Sequence, residues 1–174
     1  MPAPGKCAGF SLLEVVIAVG IFAVAVTVTL ALLPSLTRQA ADGADGLSAQ
    51  CLPDSLRIEL QRLASGNFNG LATAAPVMTA PLTNGLDFVA TRDGSRLHSS
   101  TYLAPAASAL IPADEQYFAI EVWRFNQGTL GYDANAAILP LYVRVSWPYR
   151  NPGSGTPAAL ADRSQLTFAV AINR

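Results

Sequence analysis

Ala8-Gly9-Phe10-Ser11-Leu12-Leu13-Glu14-Val15-Val16-Ile17-Ala18-Val19-Gly20-Ile21-Phe22-Ala23, with the apolar run carried on to Leu33, is the stretch that decides the fold. From Val15 to Leu33 no charged residue occurs, and the polar side chains are Thr27 and Thr29. At 1.5 Å per residue, the roughly 24 residues from Phe10 to Leu33 make a helix about 36 Å long, enough to cross a hydrocarbon core of about 30 Å. One acid, Glu14, lies near the front of this run. A carboxylate inside hydrocarbon costs about 2.5–3.5 kcal/mol on insertion scales, so such a residue is retained for a partner or a task. An ordinary secretory signal has an apolar region of about 7–15 residues and a small-residue cut site on its far side. Here the run is longer and the small residue, Gly9, stands before it. Residues 10–33 are therefore predicted to be a retained transmembrane helix, and residues 1–9 a short leader.

Lys6 and the amino terminus precede the run, while Arg38, Asp42 and Asp45 follow it. The positive-inside rule places the leader in the cytoplasm and residues 34–174 outside. The chain of 174 residues is 51% hydrophobic and 13% charged with a net charge of −1, which is apolar for a soluble domain but ordinary once an anchor is counted. About 140 residues remain beyond the anchor, enough for one core. Lys6 is the only lysine, and the arginines are scattered from Arg38 to Arg174. A protein that tracks phosphates carries a basic cluster. None is visible, so no nucleic-acid partner is expected.

Beyond the anchor the pattern is helix, variable segment, then strands. Pro34 is expected to end or kink the first helix, because proline removes a helical hydrogen bond. Gln39 to Ser48 is small and polar, with Gly43 and Gly46, and reads as weakly helical. A second, amphipathic helix is predicted over about 53–65. Pro53-Asp54-Ser55 supplies its start, Leu56, Leu60 and Leu63 its buried face, and Gly66 its C-cap. Period-two alternation predicts a sheet within about 86–174. Its strands are Leu86 to Thr91, a return through Leu97 to Leu103 after the Asp93-Gly94 turn, Tyr117 to Phe125, Leu141 to Trp147, and Leu166 to Ile172. Pro148 to Gln165, rich in proline, glycine and serine, reads as a long surface loop.

Catalytic chemistry is thin, and the chain is not expected to be an enzyme. His98, the single histidine, reads as a surface or edge residue. Cys51 is the only cysteine outside residues 1–9, so no internal disulfide forms there; it reads as a small buried hydrophobe on a helix. No histidine pair or cysteine cluster offers a zinc site. Asp42 and Asp45 lack the spacing of a calcium loop and read as part of a polar linker. Asp133, Asn135 and Asp162 carry oxygens, yet nothing in their spacing fixes a coordination geometry. No metal and no cofactor is assigned.

The Gly9/Phe10/Glu14 arrangement closely resembles the class III leader junction of type IV prepilins and type II secretion pseudopilins. The resemblance is strong over roughly the first 25 residues. It implies an α+β, pilin-like fold: a long N-terminal helix, transmembrane in one half and amphipathic in the other, packed on an antiparallel sheet. It also implies that prepilin peptidase, a membrane aspartyl peptidase, cuts between Gly9 and Phe10 and that the Phe10 amine is then methylated. Glu14 of one subunit would neutralise that amine in the growing helical bundle, removing two uncompensated charges from a low-dielectric place. Small surfaces at Ala18, Gly20, Ala23 and Ala25 suit close helix contact. Many major pilins close a C-terminal loop with a disulfide, a pattern from which this chain departs.

Two classes of function follow. In the first, the chain is a minor pilin or pseudopilin of a type IV pilus-like or type II secretion filament. Its partners are prepilin peptidase, other pilin or pseudopilin subunits, the inner-membrane assembly platform and membrane lipid. It would sit in the cytoplasmic membrane as a single-pass protein and join the filament on assembly. In the second, residues 34–174 are a non-polymerising binding domain on a permanent anchor.

Overall fold

The computed structural model describes residues 11–126, 128–133, 135–151 and 155–174. The chain divides into two compact units, Met1–Ala44 and Asp45–Arg174. One long helix, α1 (Leu12–Ala74), precedes five strands: β1 (Leu86–Ala90), β2 (Leu97–Ser99), β3 (Phe118–Arg124), β4 (Ile138–Trp147) and β5 (Ser164–Asn173). All strand pairs are antiparallel, and the order across the sheet is β2-β1-β3-β4-β5. This is the α+β arrangement expected from the sequence.

In the first unit every described residue, Ser11 to Ala44, is exposed. Of the two outcomes expected at Pro34, an end or a kink, the helix does not end there. Two hydroxyls beside it turn back onto carbonyls of the same helix: Ser35 Oγ donates to Leu32 O at 2.8 Å and Thr37 Oγ1 to Pro34 O at 3.0 Å. The carbonyl that Pro34 leaves without its helical donor is that of Leu30, four residues back, so these bonds lie beside the missing one and do not replace it.

The second unit begins inside α1. Asp45, Ala49, Leu52, Leu56, Leu60 and Leu63 recur at helical spacing and are all buried. The predicted helix start near Pro53 and the weak helix over 39–48 are thus both corrected, because the packing of Asp45, Ala49 and Leu52 overrides weak local propensity. Gly66 is not the C-cap either. The backbone leaves helical geometry one residue later, at Asn67 (φ −160°, ψ 89°), and helix resumes. Asn67 Oδ1 accepts the Gly70 N–H at 2.8 Å, as an N-cap does three residues into a new helical segment. That segment persists because Phe68, Leu71 and Ala72 are buried.

The sheet lays one face on α1. Phe88, Ile120, Val145 and Leu166 are mutually in register across β1, β3, β4 and β5, and they join the leucines of α1 in one core. The opposite face carries Val89, Ala119, Glu121, Trp123, Arg144 and Ser146. The Asp93-Gly94 turn forms as predicted from the sequence. Gly94 has φ +69°, and Asp93 Oδ1 accepts from Thr91 Oγ1, Ser95 N and Ser95 Oγ. These bonds, Thr91 first, hold the Asp93 carboxyl down at about 2. The return strand is shorter than expected, ending at Ser99.

Candidate functional site

The first candidate site is the start of α1. Gly9 and Phe10 lie outside the described residues, so the expected cleavage junction is not placed. Glu14 is placed. It occupies the first turn of α1 and is exposed, and among the described residues it makes no ion pair or hydrogen bond. An acid in the first turn is favoured by the helix dipole and by the unpaired N–H groups there. Behind it the side chains are apolar, and the two threonines hide their hydroxyls: Thr27 Oγ1 donates to Ala23 O at 2.8 Å, and Thr29 Oγ1 to Ala25 O at 2.9 Å. Gly20 has open space where a Cβ would stand. The helix is long and apolar enough to cross a membrane. Glu14 is the one carboxylate on this surface between Ser11 and Ala41.

The second unit holds the polar residues weighed from sequence, and several lie elsewhere than expected. Cys51 is exposed, not buried, because it falls on the side of α1 away from the sheet, with exposed Leu47 and Ile58 on the same face. His98 is on an edge strand, as predicted, but it is buried rather than superficial. Its Nε2 accepts the Ile111 N–H at 3.0 Å, which leaves Nδ1 to donate to Ser99 O at 2.9 Å. Both ring nitrogens serve the fold. Asp133 Oδ1 accepts the Asn135 N–H at 2.8 Å in a local turn. Among the described residues, no group of three or more His, Cys, Asp or Glu residues comes together in a way that could hold a metal ion.

Asp45, read as part of a linker, is a buried residue of α1. Its Oδ1 and Oδ2 accept from Arg92 Nε and Nη2, and Oδ2 also accepts from Tyr117 Oη at 2.6 Å. Burial pushes this carboxyl up; the bonds from Arg92 and Tyr117 and the Arg92 charge outweigh it, and the net shift is down. The signal was present in the sequence: Asp45 precedes Ala49 and Leu52 by four and seven positions and so shares their face.

On the sheet face away from α1, Glu121 accepts two bonds from Arg144, at 3.0 and 2.6 Å, and the guanidinium lies 5.1 Å from the Trp123 ring centre. Asp87 is in register with Glu121. Burial and then the Glu121 charge push its carboxyl up. These acids, His98, Gln116, Tyr149 and Arg150 border an open concavity of about 580 Å³. Arg150 and Arg163 flank the Tyr149 ring at 5.2 and 5.0 Å, but their guanidinium groups donate to Gln116, Gly155, Ala158 and Ser146, which makes them braces for the surrounding loops.

Comparison with known proteins bears on the first site. Residues 4–30 match the prokaryotic N-terminal methylation motif. Neither a curated protein nor a solved structure matches the chain.

Proposed function

Because this chain carries a type IV pilin-type N-terminal methylation motif, we propose that it is a minor pilin or pseudopilin with a structural rather than an enzymatic role. Prepilin peptidase cuts between Gly9 and Phe10, leaving residues 10–33 as the membrane and assembly helix, and the new Phe10 amine is methylated. Residues 34–174 stand outside the cytoplasmic membrane until the subunit joins a filament through its N-terminal helix, alongside other pilin-like subunits and the assembly platform.

The observation that carries this reading is the single acid on an otherwise apolar helix surface, five residues into the mature chain within the matched motif. A permanent anchor gains nothing from Glu14, and a carboxylate in hydrocarbon is costly. In a bundle, the same carboxylate faces the Phe10 amine of a neighbour, so each charge is brought out of water only in company. The fully exposed apolar helix surface from Val15 to Leu33 supports the same reading, since it suits lipid first and neighbouring helices afterwards.

The test is processing at Gly9. The peptidase must seat a small side chain before the scissile bond, so Gly9→Val is expected to leave the full-length chain in the membrane while the wild type loses residues 1–9. Intact-mass measurement of membrane-extracted protein reads the difference, and a methyl group on Phe10 adds to the mature mass. Equal trimming of both chains at this bond, or an untrimmed wild type, would return the chain to the reading of a permanently anchored binding domain.

A further inference from the structure

The sheet has two edges, and only one is blunted. β2 is three residues long, with the Ile111 segment tied to it through His98. β5, at the other edge, runs for ten residues with no charged side chain and no proline. It pairs residue for residue with β4 from Ser164↔Trp147 to Asn173↔Ile138, without a bulge. Short strands, charges, prolines and bulges are how sheets discourage edge pairing. β5 uses none of them.

The phase of its backbone is fixed at the end of the strand. Arg174 N donates inward to Ala137 O at 2.8 Å. Asn173 faces outward: its N–H donates to Gln61 Oε1 at 3.2 Å, and its C=O accepts from Gln61 Nε2 at 2.8 Å. Both backbone groups of a residue in an antiparallel strand point to one side, and the side alternates. Gln165, Thr167, Ala169 and Ala171 therefore also turn N–H and C=O outward, and among the described residues nothing bonds to them. The Gln61 carboxamide is chemically a peptide group. It gives one bond and takes one bond at Asn173, as the next strand would. Leu166 and Phe168 add a second sign of an unfinished edge, being only partly buried while their register partners Val145 and Val143 are fully buried.

We propose that β5 is a docking edge for an extended, uncharged segment of a different protein, which adds as a sixth strand along Gln165–Ala171. The partner segment must be uncharged there, because Ser164–Asn173 offers no counter-charge to a desolvated side chain. It carries apolar residues at alternate positions on the α1 side, where they cover Leu166 and Phe168, and small ones beside Thr167, Ala169 and Ala171. Past the last rung, at Asn173, Asp54, Arg57 and Ile58 border a groove of about 510 Å³. Asp54 and Arg57 have no ion pair among the described residues, so a charged residue following the uncharged strand finds its opposite there. Main-chain bonds supply the affinity in this mode of recognition and alternate side chains the choice of partner.

The test uses the full chain in detergent and a fluorescein-labelled decapeptide that alternates valine with serine, with two lysines added at one end for solubility. Ala169→Pro removes one outward N–H and no bond to β4, a place where a strand tolerates proline. Ala169→Lys keeps the N–H and puts a charge beside the docked strand, and it serves should the proline variant fail to fold. Saturable anisotropy binding is expected for the wild type, with slower amide exchange at Thr167, Ala169 and Ala171. Affinity should fall at least tenfold in either folded variant. No binding to the wild type, or equal binding to a folded variant, overturns the proposal. Dimers of the wild type that form with rising concentration and vanish in the variants would seat a second copy on the edge and overturn it equally. None of these readouts involves leader cleavage or a filament, so the outcome is independent of the Gly9 test.

Discussion

Asp45 and Arg92 stand 47 positions apart in sequence and meet through a two-pronged contact, Nε to Oδ1 at 2.7 Å and Nη2 to Oδ2 at 3.0 Å. With Tyr117 Oη on the same carboxylate and the Arg92 guanidinium 4.9 Å from the Tyr117 ring centre, the contact ties α1 to the sheet beyond its leucines. Asp45 is only 5% exposed, so the pair is screened from water on the acid's side.

Asp45→Ala removes the acceptor shared by Arg92 and Tyr117 and is expected to cost about 1–2 kcal/mol of stability, the low end for hydrogen bonds to a charged group, because Arg92 is exposed and Tyr117 only partly buried and water can take the acceptor's place. The effect depends on pH. The folded carboxyl lies below its ordinary value of 3.8, so its contribution is present above the unfolded value and is lost as pH falls through the folded one. Urea midpoints of wild type and Asp45→Asn should therefore differ at pH 7 and converge in acid below 3.8.

His98→Ala should be destabilising by about 1–3 kcal/mol, because the Ile111 N–H loses its acceptor inside the fold, where Ile111 itself is buried. Hydrogen exchange provides a specific check. The Ile111 amide is expected to lose more protection than amides of β3 and β4, which the substitution does not touch.

The opposite sign is expected at Asp87. Its carboxyl is raised by burial and by Glu121, so the charged form is disfavoured in the fold. That penalty is absent below the unfolded value and sets in as pH rises through the folded one. Asp87→Asn should accordingly raise the urea midpoint modestly at pH 7. Midpoints measured below the ordinary carboxylate range should show no gain.

Glu14→Val separates anchoring from assembly. Membrane insertion should be spared or improved, since an apolar side chain replaces a carboxylate. Trimming at Gly9 should persist, while the amount of tagged protein in sheared filament fractions falls severalfold. Equal amounts of wild type and variant in those fractions would remove the assigned role of Glu14.

The strands were legible because period-two alternation survives in a sheet with one buried face. The expected Tyr117 to Phe125 is β3, Phe118–Arg124, and the expected Leu166 to Ile172 is the middle of β5. Leu56, Leu60 and Leu63 also face the core as read. Helix boundaries were less legible. Pro34, Gly43 and Gly46 are locally unfavourable to helix, yet α1 runs through all three, with burial of Asp45, Ala49 and Leu52 holding the stretch around Gly46; the break expected at Gly66 falls one residue later, at Asn67. The motif at the N-terminus could be read from the residues alone, since its spacing is local. The Asp45–Arg92–Tyr117 contact and the Ile111–His98 bond could not, because they join residues that only the tertiary fold brings together.

A stripe of leucines four or three positions apart is nearly periodic, and a periodic stripe is a poor address. Sliding α1 by one turn, about 5.4 Å, would lay Leu56 where Leu52 now rests and Leu60 where Leu56 rests, like on like. The carboxylate at position 45 removes that degeneracy. One turn out of place, Ala49 or Ala41 would face Arg92 and Tyr117, and the acid would be carried away from both. A single polar residue at the head of the stripe thus supplies the absolute coordinate that the leucines, being alike, do not.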